Sequence, residues 1–331
     1  MNSLVDLYRH HEGKASDKWS LYLDLYEKLF SDIRQKNVRL LEVGIQNGGS
    51  LEIWAKYFDH AEIILGCDIN QDCQNLRFTD QKINLLIGDI NSNQVLKSIS
   101  QMSKEYDIII DDGSHTSPDI IKTFSSLFPL LSDGGIYVVE DIHCSYWKSF
   151  GGGLYDPYSS ISFFKRIVDV VNYCNWGISK SRQNLLCGFI ERYQLVISEL
   201  LLSEIASVEF VDSVCVLRKK KNISKFLGMR IVVGKEEQVM PGNLEFDKSY
   251  LKAPDQAFNA WSTLSASPDE VYLSITKNNQ DLLAELNLAR TALQIKDGQI
   301  EEIYQSSSWI LTRPFRFMAS LLAKIKKRIS T

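Results

Sequence analysis

Two short runs concentrate the side chains of this 331-residue chain that can do chemistry. Ile110-Asp111-Asp112-Gly113-Ser114-His115 and Val138-Val139-Glu140-Asp141-Ile142-His143 each follow an apolar stretch with strand composition. If both stretches lie in one parallel sheet, their exits meet at its carboxyl edge, about 5 Å apart for neighbouring strands. Three carboxylates meeting there repel unless a cation neutralises them, and hard oxygen ligands suit Mg²⁺ better than zinc. His115, three residues after Asp112, can act as a general base near neutral pH. Solvated turn acids and a helix-capping histidine are the plainer alternatives. Asp111 reads equally as a strand-end cap or a cofactor contact. His143 is open between a partner of the site, a ligand and a surface residue.

A third run is Glu42-Val43-Gly44-Ile45-Gln46-Asn47-Gly48-Gly49-Ser50. Glycines at a strand-to-helix turn let a ligand approach the backbone. The spacing is not the G-x-G-x-x-G of dinucleotide sites, and an acid two places before the first glycine disfavours a pyrophosphate and suits a cationic ligand. Asp68 closes the next apolar run, where a carboxylate can accept from ribose hydroxyls. Asp89 closes the one after.

The elements that must hold these residues are legible in outline. Strands are expected over 38–44, 61–68, 83–87, 106–112 and 135–141, alternating with helices over 50–58, 92–104 and 118–131; 206–210 and 214–217 read as closing strands. This is an α/β chain: a Rossmann-like, mostly parallel seven-stranded sheet with helices on both faces, followed by a C-terminal helical or coiled-coil extension. We divide it into an N-terminal helical segment (1–37), a catalytic domain (38–235), a linker or packed extension (236–270), a helix or coiled coil (271–305) and a basic amphipathic tail (306–331). Ile275, Leu282, Leu286, Ala289, Leu293, Ile300 and Ile303 follow 3- and 4-residue steps, so two copies could pair through 271–305. Gly151-Gly152-Gly153 reads as the hinge of a lid.

Glu-x-Gly-x-x-x-Gly followed by an acid closing the next strand resembles the class I S-adenosylmethionine-dependent methyltransferases. By that resemblance Glu42, Gly44, Gly48 and Ser50 carry the methionine part of the cofactor, Asp68 the ribose and Asp89 the adenine side, with Asp111 nearby. Asp112-Gly113-Ser114-His115, Phe128-Pro129, Gly134-Gly135-Ile136-Tyr137-Val138-Val139-Glu140-Asp141 and Ser145-Tyr146-Trp147 are similar to a narrower group. These are the metal-dependent macrolide-sugar (mycinamicin-type) O-methyltransferases, some of them called cephalosporin hydroxylase-like. The group also shares Ser16-Asp17-Lys18 and Gly48-Gly49-Ser50-Leu51 followed by Trp54. The resemblance covers roughly 10–220. It implies Mg²⁺ on Asp112, Glu140 and Asp141 and His115 as base. Separately, Tyr146 and Trp147 read as a pocket wall whose aromatic faces also suit sugar C–H groups, and His143 is grouped with them as a candidate substrate residue. The chain departs from the pattern after Lys18, where Trp19-Ser20-Leu21-Tyr22 stands in place of an expected histidine.

Bulk composition narrows the rest. At 44% hydrophobic and 24% charged, the chain is neither disordered nor low-complexity. Its net charge of −4 conceals two objects: six basic and no acidic residues follow Glu302, so the tail is +6 and the remainder −10. Six scattered cysteines without CxxC spacing predict reduced thiols in a cytosolic protein, not zinc or disulfides. Arg313, Arg316, Lys324, Lys326, Lys327 and Arg328 interleave with apolar residues, as in a helix lying on an anionic membrane. The Ser-Trp-x-x-Thr-x-Pro-x-Arg run at Ser308–Arg316 resembles C-termini of bacterial surface-polysaccharide enzymes. The expected partners are a glycan or lipid-linked sugar and the inner face of the plasma membrane, with no nucleic acid. A nucleotide sugar or natural-product glycoside is the alternative acceptor, and a catalytically silent, membrane-recruited interaction protein the alternative class.

Overall fold

The computed structural model describes residues 2–222 and 227–329. The chain divides into two compact units, Met1–Asp269 and Glu270–Thr331.

The first unit is built on seven strands: β1 Arg39–Val43, β2 Ile63–Asp68, β3 Ile83–Ile87, β4 Tyr106–Asp111, β5 Leu131–Val139, β6 Ile205–Val211 and β7 Val214–Lys219. Their order is β3-β2-β1-β4-β5-β7-β6. β1 to β5 run parallel, and β7 is antiparallel to both β5 and β6. The chain winds outward from β1 to β3 and then restarts on the other side at β4. The switch point, where such sheets open a crevice at their carboxyl ends, therefore lies between β1 and β4.

Period-two alternation divides the apolar residues between two cores. Leu41, Ile109 and Tyr137 face a layer containing Phe124, Phe128 and Phe163, whereas Leu40, Ile108, Ile110 and Val138 face one containing Tyr26, Phe30 and Trp54. The helices of these layers are α1 Leu4–Arg9, α2 Ser20–Phe30, α3 Gly49–Tyr57, α4 Asn93–Met102, α5 Ser117–Leu127 and α6 Ser160–Val171. Side-chain caps start several of them: Ser92 accepts from Val95 N at 3.3 Å, and Thr116 from Asp119 N at 3.4 Å.

Three boundaries differ from the sequence reading. α5 ends at Leu127 because Pro129 has no N–H to continue the helical hydrogen-bond ladder, and the chain tightens into a 3₁₀ turn. β5 then begins at Leu131, with a register shift against β4, and ends at Val139, so Glu140 and Asp141 lie beyond the strand. The triple glycine is a close-packed turn: a Cβ on Gly152 would stand 1.9 Å from the Ser145 carbonyl, and Gly153 N donates to that same oxygen at 2.9 Å.

After β7 the described chain is irregular, with a single bridge between Met229 and Tyr250 and a short turn at Leu244–Phe246. Part of it packs back. Gln256 N donates to Gly177 O at 2.8 Å, and Lys180 Nζ to Leu264 O at 2.6 Å. One long helix, Pro268–Gln305, starts at the boundary and runs into the second unit, followed there by Ser307–Leu311 and Arg313–Ile329. Ser306 caps the middle helix, and the Arg316 guanidinium lies 3.7 Å over the Trp309 ring. The side chains of residue 321 and of 323–329, including the last four basic residues, lie outside the described ones. No helix of the described residues is long and apolar enough to cross a membrane.

Candidate active site

The exits of β1, β2, β3 and β4 form a stair of backbone hydrogen bonds. Gly44 N donates to Cys67 O at 2.8 Å, Gly88 N to Asp68 O at 2.8 Å, and Asp112 N to Val43 O at 2.9 Å; Glu140 N extends it to Asp111 O at 2.9 Å. Gly44 has φ +84°, and a Cβ there would lie 2.0 Å from the Asp112 carbonyl. Only glycine fits where the two loops touch.

A cavity opens over this stair, walled by Gly44, Asp68, Asp89 and Asp111 among others. Asp68 is largely engaged by the turn it supports. Its Oδ2 accepts from Ile45 N at 2.9 Å and Gln46 N at 3.0 Å, and its Oδ1 from Asn70 N at 2.8 Å. Asp111 is 4% exposed and its Oδ2 has no hydrogen-bond partner. Burial, reinforced by the neighbouring Asp112, pushes its carboxyl up to about 8. Such an orphaned acid in a cavity wall suits the ammonium of an amino-acid ligand.

The other expected cofactor contacts are not on that wall. Glu42 is fully buried and turned beneath the turn, where its Oε2 accepts from Ser50 Oγ at 2.7 Å. Gly48 backs onto the Phe78 ring. Strand alternation explains the correction: Glu42 stands one residue before Val43, which faces the cavity, and so points to the opposite side of the sheet.

Beside the cavity lies the acid cluster. Asp112, His115 and Asp141 offer ligand atoms that all lie within 4.8 Å of one another. His115 Nε2 is 3.9 Å from Asp112 Oδ1 and 3.8 Å from Asp141 Oδ2. The two carboxylates fit a divalent cation, with the His115 imidazole beside it. His115 and Asp141 both hold left-handed backbone, at φ +57° and +49°, a strain that recurs at functional sites. Burial lowers the His115 imidazole below its ordinary value and outweighs Asp141, leaving it neutral and able to accept a proton. Burial also raises Asp112 to about 6 and Glu140 to about 7.

Glu140 stands behind this trio and not within it. Its Oε1 takes Lys18 Nζ at 2.7 Å and the Tyr26 hydroxyl. Lys18 Nζ also reaches Asp112 Oδ2 at 2.5 Å and lies 3.6 Å from Glu42 Oε1. Burial by itself would lower this ammonium's pKa, but Glu140, Asp112 and Glu42 together hold it well above the ordinary lysine value. Asp141 Oδ1 accepts from the Tyr22 hydroxyl at 2.5 Å and from Trp19 Nε1 at 3.2 Å. His143 Nδ1 meets the Ser213 hydroxyl and its ring packs edge-on to Trp147, 5.0 Å between centres. Tyr146 and Trp147 are 39% and 50% exposed on the rim.

Lys18, Tyr22 and Tyr26 had no role in the sequence reading. Their four-residue spacing puts them on one face leading into α2, and that face was the available signal. What it faces depends on how residues 11–18 cross the start of α3. There Gly49 N donates to Ala15 O at 3.2 Å, and a Cβ on Gly49 would strike that strap's carbonyls.

A seven-stranded sheet of this order, with a glycine turn, a cavity at its switch point and an acid–histidine cluster beside it, is the fold of the S-adenosylmethionine-dependent methyltransferases. Residues 23–148 match the model of the family described as Rhamnosyl O-methyltransferase/CmcI. It is 34% identical over 172 residues to 8-demethyl-8-alpha-L-rhamnosyl tetracenomycin-C 2'-O-methyltransferase of Streptomyces olivaceus, covering 49% of this chain and 44% of that one. It is 33% identical over 178 residues to mycinamicin VI 2''-O-methyltransferase of Micromonospora griseorubida, covering 50% and 43%. The structure of MycE methyltransferase from the mycinamycin biosynthetic pathway, in complex with Mg and SAH, matches with a TM-score of 0.55 at 25% identity. That match covers 67% of this chain and 55% of the other. The chain thus spans less than half the length of these curated relatives.

Proposed function

We propose that this chain is an Mg²⁺-dependent O-methyltransferase that moves a methyl group from S-adenosylmethionine to a sugar hydroxyl. The observation that carries the proposal is the placement of the Asp112/His115/Asp141 cluster directly beside the cavity that Gly44, Asp68, Asp89 and Asp111 wall. Asp111 would face the cofactor's ammonium, with Asp68 and Asp89 toward ribose and adenine. Mg²⁺ on Asp112 and Asp141, with Glu140 adjoining, would lower the pKa of a sugar hydroxyl. His115, with its neutral imidazole, would accept the proton of the sugar hydroxyl, so that the oxygen could take the methyl group from the cofactor's sulfonium sulfur, which would leave as the neutral thioether of S-adenosylhomocysteine. Asp141, held by Tyr22, fixes the far side of the site. Trp147, Tyr146 and His143 form an amphipathic rim against which the C–H face of a sugar can lie.

For the acceptor we favour a bacterial surface glycan or lipid-linked saccharide, because the second unit ends in a basic, apolar-interleaved helix suited to the inner face of an anionic membrane. Two copies pairing through 271–305 would double that attachment. The names of the relatives favour a second reading, a natural-product glycoside. Mass spectrometry of surface glycans and of secreted glycosides from a strain lacking the chain tests both. A methyl increment lost from the surface glycan supports the first acceptor, and one lost from a secreted glycoside supports the second. Absence of S-adenosylmethionine binding to the purified chain overturns the methyltransferase reading itself.

A further inference from the structure

Lys18 carries an inference that rests on the metal reading above and goes beyond it. Its side chain is 2% exposed, and its ammonium faces three carboxylates from three strand exits: Glu42, Asp112 and Glu140. It is brought there by the strap across α3, not by the sheet. The bonding divides the acid cluster in two. Asp112 gives Oδ2 to Lys18 and turns Oδ1 toward His115. Glu140 gives Oε1 to both Lys18 and Tyr26. Asp141, which does not bond Lys18, turns Oδ2 toward His115.

We propose that Lys18 is a positioning residue, a built-in counter-ion that occupies the inner half of the cluster and confines a divalent cation to the outer half, at reduced affinity. The physical reasons are charge and geometry. Buried carboxylates this close need a compensating cation, and the lysine supplies one whether or not a metal is bound. A second cation sharing Asp112 is repelled by it. At the effective dielectric of a protein interior, such repulsion between neighbouring charges is enough to change an equilibrium more than tenfold. The site would then stay assembled without metal and hold its metal exchangeably.

The test is Mn²⁺ binding to the full chain, followed by electron paramagnetic resonance, with thermal melting in chelator alongside. K18M should bind Mn²⁺ on the order of tenfold or more tightly than the wild type. It should melt lower in chelator and regain more of its melting temperature from Mn²⁺ than the wild type gains. K18R should behave nearly as the wild type. If K18M does not fold, K18Q, which keeps a hydrogen-bond donor between Asp112 and Glu140 without the charge, should show the same tightening. Mn²⁺ affinity unchanged or weakened in a folded charge-removing variant overturns the role of Lys18 while leaving the metal site standing. A wild type that binds no Mn²⁺ overturns the metal site and this proposal together.

Discussion

His115 and Asp111 show how burial assigns different tasks to neighbouring titratable groups. Burial keeps the imidazole neutral and so free to accept a proton, and it keeps the Asp111 carboxyl protonated well above the usual acid range. Replacing His115 with Ala should cost on the order of 10²–10⁴-fold in methyl-transfer rate. Cofactor binding by calorimetry should be unchanged; an unchanged rate would remove the base assignment. Asp111 makes a prediction about pH. Its carboxyl titrates near 3.8 when unfolded and near 8 when folded, so the folded state retains a proton that the unfolded state has lost. The stability contribution is complete below about pH 4 and disappears as pH rises through about 8, since stability falls with pH wherever the native state binds more protons. Melting curves of the ligand-free chain should decline across that window, and Asp111→Asn should flatten the decline.

At the scale of elements, the site is a set of strand exits held in mutual register by glycines. Gly44 permits the cofactor turn to lie against the Asp112 loop, and Gly49 permits the Lys18 strap to cross α3. Gly44→Ala combines a left-handed φ with a backbone clash. It should lower stability by about 2–4 kcal/mol and weaken cofactor binding along with it. Chemical denaturation and calorimetry on the one variant check both, and a variant that binds the cofactor normally would show the two loops to be independent. Gly152 plays a similar part on the rim, where its approach to Ser145 fixes the turn that carries Tyr146 and Trp147.

The chain divides into an acidic unit that carries the candidate site and a basic helical one. The long helix has no buried residue and displays Leu282, Leu286, Leu293 and Ile300 to solvent. Ending the chain at residue 269 should leave a folded, cofactor-binding unit that no longer co-sediments with anionic vesicles. The full chain should co-sediment at low salt and detach at high salt, each basic residue near the surface contributing about 1 kcal/mol. Equal sedimentation of both forms would place the attachment in the first unit.

The amino-acid sequence by itself determined the sheet, its strands and the three loops that carry the chemistry. Those features are local: period-two apolar runs, glycines where φ turns positive, acids and histidines placed just past strand ends. Asp112, His115 and Asp141 are close because neighbouring parallel strands must end side by side. Only the tertiary structure decided which way each side chain at an exit points and what meets it from elsewhere. Glu42, one residue from the cavity wall, faces the opposite side of its strand. Glu140 is taken up by Lys18 and Tyr26, which lie more than a hundred positions earlier in the chain. A buried charge needs its partner in space and not in sequence, so the counter-ion of this site is set by the path of the strap across α3.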